Sequence, residues 1–258
     1  IGDYQNIMFI EAGRTLKLKN PKNVLFVLVS YLPIPAKVGE MKTRPTRMAS
    51  GTLNSYGVQA DFIIARSSIK LDKKRKEKLA ISCNVPEKNI ISAPDIESIY
   101  DVPINFEMDK IGSKLLKSLG LNAKNKIDLK EWKDFVLKSK NAKKKLNIAI
   151  AGKYFDTGNF VLSDSYISVI EAIKISSYVL GVKPTLTWLN SKDFDKATRK
   201  LNSLKKFDGV IVPGGFGESG VDGKINIIKY VRENKIPFLG LCYGMQLAVI
   251  EYARNVLG

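Results

Sequence analysis

The sequence predicts an α/β fold with two parallel-sheet domains. Short apolar runs bounded by Gly, Pro, Asn or Asp recur along the chain, and helix-period patterns separate them. A lysine-rich stretch interrupts the series once, which divides it into two sets.

The first set holds strands at NVLFVLVSYL (Asn23–Leu32), DFIIAR (Asp61–Arg66) and NIISAP (Asn89–Pro94). The second holds LNIAIAGKY (Leu146–Tyr154), TLTWL (Thr185–Leu189), DGVIVPGG (Asp208–Gly215) and PFLGLC (Pro237–Cys242). Between the sets, residues 124–145 carry nine lysines against the acids Asp128, Glu131 and Asp134, with Trp132 and Phe135 at i and i+3. This reads as a polar connector with one amphipathic helical turn. The expected organisation is therefore a first domain over 1–121, a linker over 122–145 and a second domain over 146–258.

At 258 residues the chain is long enough for two such cores. It has no apolar stretch near the roughly 20 residues a membrane span needs. Its N-terminal residues do not form a signal peptide. Cys83 and Cys242 are too far apart in sequence to suggest a disulfide framework or a metal-ligand spacing, so a reduced cytoplasmic protein is expected and Cys83 reads as a small buried residue. The net charge of +17 attracts polyanions. Much of it lies in KLDKKRKEKL (Lys70–Leu79) and KNAKKKLN (Lys140–Asn147), which hold no stacking aromatics and read as solvated faces rather than a nucleic-acid surface.

The chemistry-bearing pattern is GLCYG (Gly240–Gly244), a G-x-C-x-G elbow at a strand end. Flanking glycines are needed where side chains would collide across the turn. The thiol of Cys242 then lies at a helix N-terminus, whose partial positive charge favours thiolate. One βα unit earlier, VPGGFGESG (Val212–Gly220) ends another strand in a glycine-rich turn. Adjacent parallel strands would bring that loop beside the elbow, where its N–H groups could stabilise an oxyanion. No histidine is present to act as base for the thiol.

VPGGFG, PFLGLCYGMQ, and AGKYFD followed by DSYISVIEAIK resemble the glutamine amidotransferase domain of the CTP synthases. GEMKTRPTR (Gly39–Arg47), Cys83–Pro103 and the initial GDYQN resemble their amidoligase domain. The resemblance covers essentially the whole chain in family order. It implies two doubly wound parallel-sheet domains, both incomplete: an amidoligase domain of P-loop type and a class I glutamine amidotransferase domain.

The implied reaction is ATP-dependent amination of UTP to CTP. ATP phosphorylates the uracil O4, glutamine is hydrolysed at the cysteine, and ammonia passes through an internal tunnel to displace the phosphate. The resemblance assigns Cys242 as nucleophile, Gly215 and the Tyr243 amide to the oxyanion hole, and Tyr243, Gly244, Met245 and Gln246 to the glutamine pocket. Asp3, Tyr4, Gln5, Lys42, Thr43, Arg44, Pro45, Thr46, Arg47 and Lys78 match positions for UTP or for CTP as feedback inhibitor. Arg66, Asp95 and Ile96 match positions around the ATP adenine. Asp95 is alternatively an N-cap for the turn that follows it. The chain departs from the family at Gln5, Arg47 and Ser219, and the last departure bears on GTP as an allosteric activator.

Mg2+ would accompany ATP. Its ligands and the phosphate loop are expected upstream of Ile1, with no metal ligands in this segment, and the histidine and glutamate partners of the cysteine downstream of Gly258. We therefore expect an internal segment of a longer chain, inactive alone in both half-reactions, from a full-length homotetramer that uses neither membrane nor specific nucleic acid. Two other readings stay open. Another class I glutamine amidotransferase explains residues 146–258 but not KTRPTR, whereas a basic nucleic-acid-binding or assembly module would leave the elbow without catalysis.

Overall fold

In the computed structural model the described residues are 3–152, 156–157, 160–161, 166–196, 198–215 and 220–258. Lys153–Phe155 of AGKYFD, most of the glycine-rich segment after Gly215, and Ser219 lie outside them. The chain divides into two compact units, Ile1–Lys130 and Glu131–Gly258.

The first unit runs α1 (Asp3–Lys19), β1 (Val27–Tyr31), α2 (Arg44–Ser55), β2 (Phe62–Ser67), α3 (Lys73–Cys83), β3 (Ile90–Pro94), α4 (Val102–Met108) and α5 (Ile111–Ser118). Its three strands are parallel in the order β1-β2-β3, with Val29 beside Ile64 and Ile64 beside Ile91. Each strand falls within one of the apolar runs, or extends a single residue beyond it. Leu28, Ile63, Ala65 and Ile90 from the sheet pack with Leu79 and Cys83 from α3 and Met41 from the loop after β1. Cys83 is a buried core residue, as expected. Helix α3 starts at Asp72, whose carboxylate accepts from the Arg75 N–H at 2.8 Å, and stops at Asn84 in the left-handed region.

The second unit runs α6 (Lys130–Asn141), β4 (Lys144–Gly152), the short antiparallel pair β5 (Asp156–Thr157) and β6 (Phe160–Val161), α7 (Ile167–Val179), β7 (Val182–Asn190), α8 (Thr198–Leu201), β8 (Gly209–Val212), α9 (Val221–Glu233), β9 (Phe238–Gly240) and α10 (Tyr243–Tyr252). Its parallel sheet has the order β7-β4-β8-β9. Ala149, Ala151, Val210 and Val212 form the sheet side of the core, closed by Ile225, Ile227, Ile228 and Val231 of α9 and Leu247 of α10.

The stretch expected as a connector with one helical turn is a three-turn helix, α6, over its middle, and β4 begins within its last residues. Trp132, Phe135 and Val136 share one face of α6. The Trp132 and Phe135 rings are 5.6 Å apart, and Phe135 meets Tyr178 of α7 edge-on at 6.4 Å. That apolar stripe suffices to dock a helix whose other faces are lysine-rich. No helix of the described residues is long and apolar enough to cross a membrane.

Candidate functional site

The elbow follows from strand order. Strands β8 and β9 are adjacent and parallel, with Val212 paired to Gly240, so the turns that leave them emerge side by side. Leu241 continues the ladder by donating to the Val212 carbonyl at 2.9 Å. The chain then reverses at Cys242, which takes φ 53° and ψ −110° as N-cap of α10. A non-glycine residue in that region is strained, and such strain persists only where the surroundings impose it.

The surroundings are the glycines. A Cβ on Gly244 would stand 2.0 Å from the Val212 oxygen, and one on Gly240 would stand 2.7 Å from the Gly244 backbone. Only hydrogen fits at either position, so the helix starts directly over the strand end and holds Cys242 above it. The thiol is exposed. Gly214 lies beside it, its Cα hydrogen direction pointing at the cysteine side chain, with room for no more than a van der Waals contact.

Met245 and Gln246 donate their N–H groups to the Cys242 carbonyl at 3.1 and 3.2 Å, and Gly244 donates to Leu241 at 3.0 Å. Gly214 and Gly215 lie in the turn after β8 and Tyr243 opens α10, so the backbone of both turns meets near the thiol, where N–H donors can receive a developing oxyanion. Tyr243 is fixed from below by Lys224, a fully buried lysine whose ammonium lies 5.5 Å from the ring centroid. Met245 and Gln246 are exposed on the first turn of α10, and Gly244 is buried beneath it. Lys224 was not foreseen, since nothing in its local pattern distinguishes it from a solvated lysine.

In the first unit, Lys42, Thr43, Arg44, Arg47 and Lys78 line one open cavity of about 400 Å³ together with Glu40, Met41, Lys74 and Arg75. The loop after β1 and the start of α2 supply one wall, and α3 supplies the other through Lys74, Arg75 and Lys78 at helical spacing. Glu40, Lys74 and Arg75 are additions to the residues read from sequence. The i, i+3, i+4 relation to Lys78 was the available signal for the two cations.

Pro45 and Thr46 are not in that lining. Thr46 is fully buried and its hydroxyl meets the Ser30 hydroxyl at 2.9 Å, which ties α2 to β1 rather than facing a ligand. Tyr4 and Gln5 lie exposed at the start of α1 and line neither this cavity nor the next. The side chain of Asp3 lies outside the described residues.

Arg66, Asp95 and Ile96 line a second, apolar cavity of about 510 Å³ with Val29, Ile64, Ile99 and Phe106 among its walls. It lies over the carboxyl ends of β2 and β3. Asp95 pairs with Arg66 at 3.6 Å across an exposed rim. It is not the cap of the turn that follows, because Ser98 accepts the Tyr100 N–H at 3.3 Å in that role.

Comparison with known proteins agrees with both halves. The family described as CTP synthase N-terminus matches residues 1–121, and glutamine amidotransferase class-I matches residues 161–258. The CTP synthase of Sulfolobus acidocaldarius is 44% identical over 258 residues, which is 100% of this chain and 48% of that one. That of Pyrococcus abyssi is 44% identical over 259 residues, 100% of this chain and 47% of that one. A solved structure, the glutaminase domain of Trypanosoma brucei CTPS with bound acivicin, is 36% identical with a TM-score of 0.40 and covers 44% of this chain and 42% of that one. The chain thus spans about half the length of the curated relatives it matches, and over that span it belongs to the CTP synthase family.

Proposed function

We propose that this chain is the part of a glutamine-dependent CTP synthase that binds the pyrimidine nucleotide and carries the nucleophile for ammonia release. The observation that carries this reading is the cation-lined cavity. Lys42, Thr43, Arg44, Arg47 and Lys78 come from separate stretches and converge on one opening, which suits a nucleoside triphosphate. Another class I glutamine amidotransferase has no use for such a pocket, so that reading explains only half of the chain.

At the elbow, the Cys242 thiolate attacks the amide carbon of glutamine. The N–H groups of Gly215 and Tyr243 receive the negative charge on oxygen, ammonia leaves, and water hydrolyses the thioester to glutamate. Gly244, Met245 and Gln246 border the glutamine. The chain has no histidine, so a base of that type is not supplied from within it, and the isolated chain is expected not to turn over glutamine. In the other unit UTP lies along Lys42, Arg44, Arg47 and Lys78, with CTP as a competing inhibitor. ATP places its adenine against Ile96 between Arg66 and Asp95.

Magnesium would escort the ATP phosphates. The acids at the two cavities do not form a set of ligands for it: Glu40 is held by Lys42 and Arg75, and Asp95 by Arg66. No step is assigned to the ion here. GTP activation, a homotetramer and a cytoplasmic setting belong to the same reading.

The test is thermal unfolding with and without UTP or CTP. A nucleotide present at about 100 times its Kd stabilises the folded state by about 2.7 kcal/mol and raises Tm by several degrees. If neither nucleotide moves Tm while duplex DNA does so in a steeply salt-dependent way, the basic binding-module reading replaces this one.

A further inference from the structure

Among the cations of the basic cavity stands one carboxylate, and its placement is not what an anion site needs. Glu40 accepts from the Lys42 ammonium at 2.7 Å through one oxygen and from the Arg75 guanidinium at 3.3 Å through the other. It thereby joins the loop after β1 to α3 across the mouth of the cavity. Lys42 holds its carboxyl below the ordinary carboxylate range, with smaller help from Arg75 and Lys78, so it stays anionic. Among the described residues, Arg44, Arg47, Lys74 and Lys78 of the same lining make no ion pair.

We infer that Glu40 is an internal counter-anion that occupies part of the polyphosphate seat and is displaced when a triphosphate binds. The inference rests on the pyrimidine-nucleotide reading of this cavity and adds a specificity device to it. Arg75 is built to remain when Glu40 leaves. Its Nε donates to the Met41 carbonyl at 3.1 Å, and its other arm grips the Asp72 carboxylate, which also caps α3. One guanidinium nitrogen is then freed toward the ligand, as is the whole Lys42 ammonium. Glu40 itself can move: its side chain is half exposed, and Gly39 before it takes φ +63° with nothing within 4 Å.

Exchange of this kind discriminates by charge. A ligand must break two ion pairs to enter, which several phosphates can replace and a nucleoside cannot. Arg75 and Lys74 join Lys42, Arg44, Arg47 and Lys78 as phosphate-facing cations, and Glu40 sets the threshold for admission.

The experiment is calorimetric titration of the 258-residue chain and of Glu40→Gln with UTP, inorganic tripolyphosphate and uridine. Glu11→Gln serves as a control for net charge, since Glu11 pairs with Arg14 on α1, next to the residues preceding β1 and β2 at the opposite strand ends. Removal of two partly exposed ion pairs predicts that Glu40→Gln tightens UTP and tripolyphosphate about fivefold and leaves uridine unchanged. Glu11→Gln should move none of them.

Unchanged or weaker UTP binding by Glu40→Gln, with wild-type UTP binding intact, overturns the counter-anion while sparing the nucleotide reading. Equal tightening by Glu11→Gln overturns it as well, because the effect would be general charge. Tightening of tripolyphosphate alone overturns the nucleotide as the displacing ligand. Absence of any UTP or tripolyphosphate binding by the wild-type chain removes the nucleotide reading itself, and the inference falls with it.

Discussion

A Cβ on Gly214 would lie 3.4 Å from the Cβ of Cys242 and 3.8 Å from its Sγ. The turn after β8 therefore touches the turn after β9 at the thiol itself. Three glycines divide the work there. Gly240 and Gly244 let a helix begin directly on a strand end, and Gly214 leaves the space beside the sulfur to a backbone edge that offers N–H groups.

That division predicts different costs for the same substitution. Gly244→Ala forces a methyl group to within 2.0 Å of the Val212 oxygen, a main-chain atom of a core strand that cannot yield. Urea unfolding should show a loss of about 3 kcal/mol. Gly214→Ala adds only a van der Waals contact with Cys242 and should cost about 1 kcal/mol or less, yet it should slow reaction at Cys242 several-fold. Equal costs for the two would mean that the elbow is not closed as described.

The thiols themselves should separate cleanly. Cys242 is exposed and Cys83 is 2% accessible inside the first core. Iodoacetamide at neutral pH should give a single adduct on the native chain, mapped to Cys242 by mass spectrometry, and two adducts in concentrated urea. Native labelling of Cys83 at a comparable rate would contradict its core position.

The strands and the elbow were legible because each is encoded locally. FIIA and GVIV are short apolar runs set between polar or turn-forming residues, and G-x-C-x-G needs its spacing for a steric reason that sequence displays. Neighbouring order then followed from the short βα unit between Val212 and Gly240. What sequence did not display was pairing over distance. Nothing near Thr46 signals that its hydroxyl turns inward to Ser30, and nothing near Arg75 signals Met41 or Glu40, which are 34 and 35 positions away. Helix α6 was underread for a related reason: its lysines dominate composition, whereas Trp132, Phe135 and Val136 decide its folding.

A second long-range pair fixes α9 to α10. Glu251 is 1% accessible, and both its oxygens accept from Arg232, at 2.9 and 2.8 Å. The hydrogen bonds to that carboxylate hold the guanidinium above its ordinary range. Arg232→Met leaves a buried carboxylate without its partner and should lower Tm by about 5 °C or more. The double variant Arg232→Met with Glu251→Leu should recover most of that loss, because an apolar pair of similar size has no charge to desolvate. Failure of the double variant to recover would assign the pair a role beyond charge compensation.

Acid should expose the cap of α3. The Arg75 N–H and, secondarily, its guanidinium hold the Asp72 carboxyl below its ordinary 3.8. A carboxyl depressed in the folded state contributes stability above its unfolded value, and that contribution is lost as pH falls through the folded value. Asp72 is nearly half exposed, so solvent screens the ionic part and the cap hydrogen bond is the larger share. At pH 7 the wild-type chain should exceed Asp72→Ala by about 1 kcal/mol in urea unfolding. The difference should hold down to about pH 5 and shrink below the ordinary 3.8 as the carboxylate takes up its proton. A difference that stayed constant from pH 7 to pH 2.5 would show that the charge on Asp72 contributes nothing, and that α3 begins for reasons of packing alone.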